Sequence, residues 1–194
     1  MRRVEEFWIE FNPITVPEEP KAPWHASLMY DAIESVKGAV IVVFLIFSFV
    51  FRAVGVDGDS MYPTLKDGDW VAVSGVTTEI DRGDIIVSTQ PWERNVPIVK
   101  RVIAVGGDMV DIDFNANAVF VNGVKLNEPY IAELTRVSYD VEFPVIVEEG
   151  KLFVMGDNRN VSLDSRSSKI GLIDERYVLG KVIFRVYPSF DGDF

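Results

Sequence analysis

Three short polar blocks in this 194-residue chain carry side chains that could attack a carbonyl carbon: GDSMYPTL (Gly58–Leu65), IVKRVIAVGGD (Ile98–Asp108) and GDNRNVSLDSR (Gly156–Arg166). The first centres on Ser60. Gly55 and Gly58 permit backbone conformations that other residues avoid, and Pro63 fixes the chain two residues after Met61. A serine nucleophile needs such a path, because its oxygen must be exposed at a rigid position while its own amide N–H faces the oxyanion. The competing reading of the block is a glycine-rich connector.

A serine hydroxyl at its ordinary pKa is a poor nucleophile and needs a base. The chain has one histidine, His25, and no cysteine. His25 precedes the one long apolar run, which separates it from all three blocks, so no Ser-His-Asp triad can be assembled. Lys100 is the remaining candidate. A free lysine, with a pKa of about 10.4, is protonated at neutral pH and cannot accept a proton. Burial can lower that value into the range a base requires. Lys100 lies in a β-rich run in which Ile98 and Val102 share its face while Val99, Arg101 and Ile103 point the other way. A lysine in a strand can equally be an edge or surface charge. Arg101 would oppose the burial of its neighbour unless it is paired, and it reads as structural.

Composition removes other chemistries. Without cysteine there is no thiol nucleophile, no Cys-based zinc site and no disulfide framework. A net charge of −11 argues against a nucleic-acid partner, which needs clustered Lys and Arg. Asp57, Asp59 and Asp84 sit beside glycines in turn contexts and read as solvated or capping. Asp111 and Asp113 alternate on one strand face, too few ligands for a cation. No metal and no organic cofactor is implied.

Those blocks must be positioned by the elements around them. Residues 1–37 mix Phe7, Trp8 and Phe11 with Pro13, Pro17, Pro20 and Pro23, and read as a tail that leads into a short helix near Ser27–Val36. From Gly38 to Phe51 every residue but Ser48 is apolar or glycine. With Ala53–Val56 added and Arg52 reaching for the interface, residues 38–56 read as a transmembrane anchor. A cleaved signal peptide and a buried globular helix are the alternatives. Lys21 and Lys37 on one side against Arg52 and Lys66 on the other leave the orientation open. Residues 57–194 read as a β-rich domain. Trp70–Val73, Ile85–Val87, Ile98–Val105, Val110–Ile112, Ala118–Val121, Lys151–Val154 and Lys181–Val186 are strand runs bounded by turn residues. Asn122-Gly123 marks a two-residue hairpin. The fold class expected is all-β and antiparallel, behind one N-terminal transmembrane helix.

The three blocks behind an apolar anchor resemble the bacterial type I signal peptidases, from about Asp57 to Pro188. The resemblance implies Ser60 as nucleophile and Lys100 as general base of a Ser-Lys dyad working through an acyl-enzyme. It implies that the Ser162 hydroxyl orients the lysine amine, as suits a buried amine whose lone pair must be aimed. Asp164 and Arg166 would brace the site as a pair, with Asp157, Asn158 and Arg159 holding the loop. Val54, Val56, Met61, Leu65, Ile98 and Val99 would line shallow substrate pockets for small residues, commonly alanine, one and three positions before the cut. The partners implied are preprotein signal peptides and the lipid bilayer. The setting implied is a bacterial cell membrane, crossed once, with the N-terminus cytoplasmic and the β-rich domain of residues 57–194 extracytoplasmic.

Two positions depart from the family pattern: Gly58, where some members carry a serine that aids the oxyanion, and Val161, where asparagine is frequent. Arg82-Gly83-Asp84-Ile85 resembles the remaining family box. The family's eukaryotic branch has histidine in place of the lysine, so the bacterial branch fits. The sequon Asn160-Val161-Ser162 points the same way, since a glycan on this loop would damage the site. The rival functions are a Ser-Lys autoprotease of the SOS-repressor type and a non-catalytic, membrane-tethered binding domain. Trp92 could be a second membrane contact or could pack into the core.

Overall fold

A computed structural model of the chain describes residues 24–75, 79–89, 96–188 and 192. Trp92 and the tail before Trp24 lie outside the described residues. The chain divides into two compact units, Met1–Val43 and Phe44–Phe194. One continuous helix, α1 (Trp24–Val50), takes in both the expected helical entry and most of the apolar run. Asp31, Glu34 and Lys37 charge its first half, with Glu34 and Lys37 paired at 3.7 Å. Among the described residues, no helix is long and apolar enough to cross a membrane.

The helix also stops short of the expected boundary. Phe51–Gly55, counted with the anchor in the sequence, is strand β1, paired antiparallel from Phe51↔Ser74 to Gly55↔Trp70. An apolar run does not by itself distinguish helix from strand. Here a neighbouring strand takes up the backbone donors and acceptors, and Val54 packs on a core cluster.

The other strands follow as β2 (Trp70–Ser74), β3 (Ile85–Ser88), β4 (Ile98–Ala104), β5 (Met109–Asp113), β6 (Ala118–Val121), β7 (Val124–Lys125), β8 (Val145–Ile146), β9 (Lys151–Met155), β10 (Ile173–Asp174) and β11 (Val178–Tyr187). They form a seven-stranded sheet ordered β1-β2-β11-β3-β4-β9-β10 and a four-stranded sheet ordered β7-β6-β5-β8. The pairings are antiparallel, so the body is mostly β.

Sequence pattern and burial agree. β5 alternates exposed and buried residues, as a strand with one wet face must. β3 and β4, inside the larger sheet, are buried along most of their length, and β4 buries Lys100 and Arg101 among its apolar residues. Lys100 therefore sits mid-sheet, opposite Ile86 of β3, where a charged side chain has little access to water. The core has three apolar clusters. One, around Ile103, Val110, Val119 and Phe153, lies against the four-stranded sheet. A second gathers Val56, Met61 and Leu65 with Val71, Val73 and Val87. The third holds Ile86, Val102, Leu152 and Ile173.

Candidate active site

Ser60 sits in a turn tied down at both ends. The Tyr62 N–H donates to Asp59 O at 3.1 Å and the Leu65 N–H to Met61 O at 2.9 Å. The Gly58 N–H donates to Asp67 Oδ1 at 2.8 Å. Gly58 has φ +81°, in the left-handed region, which accounts for glycine where some family members carry serine. Met61 and Leu65 have no exposed surface and fix the turn to the core. From the other side, the Asn158 N–H donates to Ser60 O at 3.1 Å and Asn158 Nδ2 to Asp59 O at 3.0 Å. Among the described residues the Ser60 amide itself bonds no acceptor.

Lys100 reaches this turn from β4. Its Nζ lies 2.8 Å from Ser60 Oγ and 3.0 Å from Val99 O. The residue is 5% exposed. Burial lowers its pKa to about 8, against the pull of the Asp164 and Asp157 carboxylates, which favour the charged form. Part of the amine population is thus neutral near physiological pH, the state in which it can take a proton from the serine.

Both carboxylates are themselves matched. Asp157 receives the Arg101 fork through Nε at 2.9 Å and Nη2 at 2.7 Å, and Thr64 Oγ1 at 2.5 Å. Arg101 Nη1 donates to Gly83 O at 2.8 Å, which brings in the Arg82–Ile85 box. Arg101 is therefore paired, the condition on which a structural role depends. Asp164 receives Arg166 Nε at 2.8 Å, Arg166 Nη2 at 2.9 Å and the Gly156 N–H at 3.0 Å. Arg166 also donates to the carbonyls of Val137, Arg159 and Ser162, and so shapes the loop from inside. Arg159 is buried with Nε on Gly156 O, Nη1 on Thr135 and Nη2 on Glu128.

Ser162 is fully buried, and its Oγ has no hydrogen-bond partner. The expected bond to the lysine amine is not made in this structure; the amine bonds Ser60 Oγ and Val99 O. The hydroxyl lies against Gly156, where a Cβ would collide with both Ser162 Oγ and Ser60 O. Only glycine lets the two segments meet this closely.

The six expected pocket residues separate. Val56 (6% exposed), Met61 and Leu65 (both 0%) belong to the core and offer a substrate almost no surface. The apolar side chains of the Ser60 turn are used to anchor it, which is why they are buried. Val54 and Val99 keep some surface and pack on that same cluster, while Ile98 packs on the third cluster. Asp84 accepts from the Asp81 N–H at 2.8 Å and pairs with Lys181 at 2.7 Å; Asp113 caps the turn amides of Asn115 and Ala116. Among the described residues no three His, Cys, Asp or Glu side chains are arranged to hold a metal ion.

Sequence reasoning passed over Thr64 and the segment of residues 127–140. Glu128, Tyr130 and Thr135 of that segment contact Arg101 or Arg159. The usable signal was the arginines: several in one neighbourhood demand counter-charges and carbonyls that the three blocks alone do not supply.

The family model "Signal peptidase, peptidase S26" matches residues 29–187. Signal peptidase I of Bacillus licheniformis is 38% identical over 180 residues, covering 88% of this chain and 95% of that protein. Signal peptidase IB of Staphylococcus aureus (strain N315) is 36% identical over 178 residues, covering 82% and 90%. The crystal structure of a signal peptidase I from Enterococcus faecalis V583 aligns at 31% identity and a TM-score of 0.44, over 54% of this chain and 97% of that one.

Proposed function

The chain belongs to the signal peptidase family, peptidase S26, and is a peptide-bond hydrolase; on that footing we propose that it is a membrane-bound serine endopeptidase removing signal peptides from exported preproteins through a Ser60–Lys100 dyad. The observation that carries this reading is the 2.8 Å approach of Lys100 Nζ to Ser60 Oγ on a buried lysine. Neutral Lys100 takes the Ser60 proton as the oxygen bonds to the carbonyl carbon before the scissile bond. The Ser60 N–H faces the oxyanion. Collapse breaks the C–N bond, and the proton on Lys100 passes to the leaving amine. The acyl-enzyme is then hydrolysed by water that Lys100 deprotonates, which returns the proton to Ser60.

Ser162 contributes by steering the amine once Ser60 Oγ is acylated and no longer holds it. A buried hydroxyl without a partner is available for that role. Asp164–Arg166 and Asp157–Arg101 keep the loop rigid, and Val54, Ile98 and Val99 retain surface for small substrate side chains. The apolar part of α1, residues 38–50, is the anchor in this reading. It holds the β body outside a bacterial cytoplasm and raises its effective concentration against substrates in the same bilayer. Fractionation of the full chain tests the anchor; solubility without detergent would remove it.

The chemical reading is tested by assaying the parent chain and Ser60→Ala on a synthetic preprotein with an Ala-x-Ala site. The parent cleaves after the second alanine and Ser60→Ala does not. Cleavage by Ser60→Ala at the parent rate would reject the dyad.

A further inference from the structure

Two buried guanidinium groups converge on one ring that lies outside the three blocks. Arg101 Cζ lies 4.1 Å from the centroid of Tyr130, and Arg159 Cζ 5.9 Å. The Tyr130 hydroxyl donates to Glu128 Oε1 at 3.3 Å, the same oxygen that receives Arg159 Nη2 at 2.7 Å. Arg101 is 2% exposed and Asp157 0%, so their pairing is shut away from water. A cation above an aromatic face is held most firmly where water is excluded.

We propose that Tyr130 is a positioning residue for the hydrolysis: its ring caps Arg101 and keeps the guanidinium fork on Asp157, so that the Asp157 charge is spent on Arg101 and not on Lys100. The proposal rests on Lys100 being the base. The groups facing Lys100 are few. The Ser60 turn offers the hydroxyl, and the support loop offers Asp157 and Asp164, the latter held by Arg166. β3 carries no charge, and the charge of β9, Lys151, is paired with Glu148 at 2.6 Å. Both carboxylates pull the lysine toward its protonated form, and each is compensated by one arginine. Arg166 is locked by three carbonyls besides its carboxylate. Arg101 has one carbonyl, Gly83 O, and the Tyr130 ring. Removing the ring therefore loosens the more weakly held of the two. Burial and Glu128 push the Tyr130 phenol itself up to about 12, so the ring stays neutral throughout the working range.

The test is the pH profile of kcat/KM between about pH 6 and 10, measured with the full chain in detergent. The substrate is a synthetic peptide spanning an Ala-x-Ala site, and the variants are Tyr130→Leu, Tyr130→Phe and Lys100→Met. Tyr130→Leu should move the rising limb to higher pH by about one pH unit, which is about a 10-fold loss at neutral pH recovered on the alkaline plateau. Tyr130→Phe, which keeps the ring face, should restore the parental midpoint. A Tyr130→Leu enzyme with the parental midpoint and an even loss at every pH would overturn the proposal. So would a Tyr130→Phe enzyme that behaves like the leucine variant. If Tyr130→Leu does not fold, Arg101→Lys replaces it: the charge stays, the fork and the stacking go, and a parental midpoint there overturns the proposal equally. Parental turnover by Lys100→Met would bring down the dyad and this inference with it. Loss of turnover in Lys100→Met alongside unshifted Tyr130 variants would bring down only the inference.

Discussion

The four-stranded sheet and the Lys100 end of the seven-stranded sheet bury their side chains in opposite ways. The cluster against the four-stranded sheet is apolar throughout, with Val110, Ile112, Val119, Val121 and Phe153 at 5% exposure or less. Around Lys100 the buried side chains are Arg101, Asp157, Arg159, Ser162, Asp164 and Arg166, each at 5% or less. The first gains roughly 25 cal/mol for each Å² of apolar surface removed from water. The second must set every ion's desolvation against a partner, and such pairs seldom do better than break even. All five ions are matched, as Arg101–Asp157, Arg166–Asp164 and Arg159–Glu128. Lys100 forms no salt bridge among the described residues, only bonds to a hydroxyl and a carbonyl. The comparison teaches that the apolar end stabilises the body while the polar end tolerates a loss that its chemistry requires.

Lys100→Met sets that contrast its hardest test. In the unfolded chain this amine titrates near 10.5 and in the folded protein near 8. Below pH 8 both states hold the proton and the folded state bears the full desolvation cost. Between pH 8 and 10.5 the unfolded state binds more protons, so stability rises with pH; above that range the term vanishes. The shift corresponds to about 3 kcal/mol. Lys100→Met should therefore lose about 10²- to 10⁴-fold in turnover and unfold at higher denaturant than the parent at pH 7. A variant less stable than the parent at pH 7 would mean that the lysine supports the fold, and the contrast would collapse.

Asp164→Ala should move stability the other way. It leaves Arg166, with no exposed surface, holding a charge opposite no carboxylate, and removes the acceptor of the Gly156 N–H. The cost expected is about 3–5 kcal/mol, read from denaturant unfolding. Unchanged unfolding with lost activity would move Asp164 out of the bracing role and into the chemistry.

Ser162→Ala separates function from stability within the same end. The hydroxyl has no partner to lose, so unfolding should be unchanged or slightly harder. Turnover should still fall, by about 10- to 1,000-fold, as expected when a positioned hydrogen bond to a base is removed. An unaltered kcat would show that the amine needs no steering from this loop.

The two ends were also unequally legible. Alternating burial in β5 and the Asn122-Gly123 pair are local signals, and the strands and hairpin they announce are present. The runs at β2, β3, β4, β9 and β11 were legible because Gly, Asp and Asn bound them. β1 was not, because Phe51–Gly55, with Arg52 read as an interfacial residue, prolongs the apolar run and becomes a strand only by pairing with β2. β8 and β10, two residues each, carry too little pattern to be seen. At the site, Ser60 and Lys100 could be named from the blocks that hold them. The burial of Met61 and Leu65 and the clasp of Glu128, Tyr130 and Thr135 on the arginines depend on contacts between distant segments, which no single block records.

The smallest effect lies at the hairpin of the four-stranded sheet. Asn122 and Gly123 both adopt left-handed backbone, φ 53° and 77°, the pairing that a two-residue turn between twisted strands requires. A Cβ on Gly123 would meet nothing within 4 Å, so Gly123→Ala isolates the cost of placing an L-residue in that region, about 1–2 kcal/mol. For a domain of this size that is a fall of about 2–8 °C in melting temperature. The turn is not wholly insulated. Asn122 Nδ2 donates to Asp108 Oδ1 at 3.0 Å, and Asp108 Oδ2 accepts the Val105 N–H at 3.0 Å, one residue beyond β4. Any strain passed along that route would reach the strand that carries Lys100. The expectation is that it does not: Asp108 is also held by the Arg82 guanidinium, and β4 is fixed on both sides by β3 and β9. Gly123→Ala should lower the melting temperature while the midpoint of the kcat/KM profile stays at the parental pH. A shifted midpoint would show that the apolar end tunes the base, and the two regions would have to be treated as one coupled network.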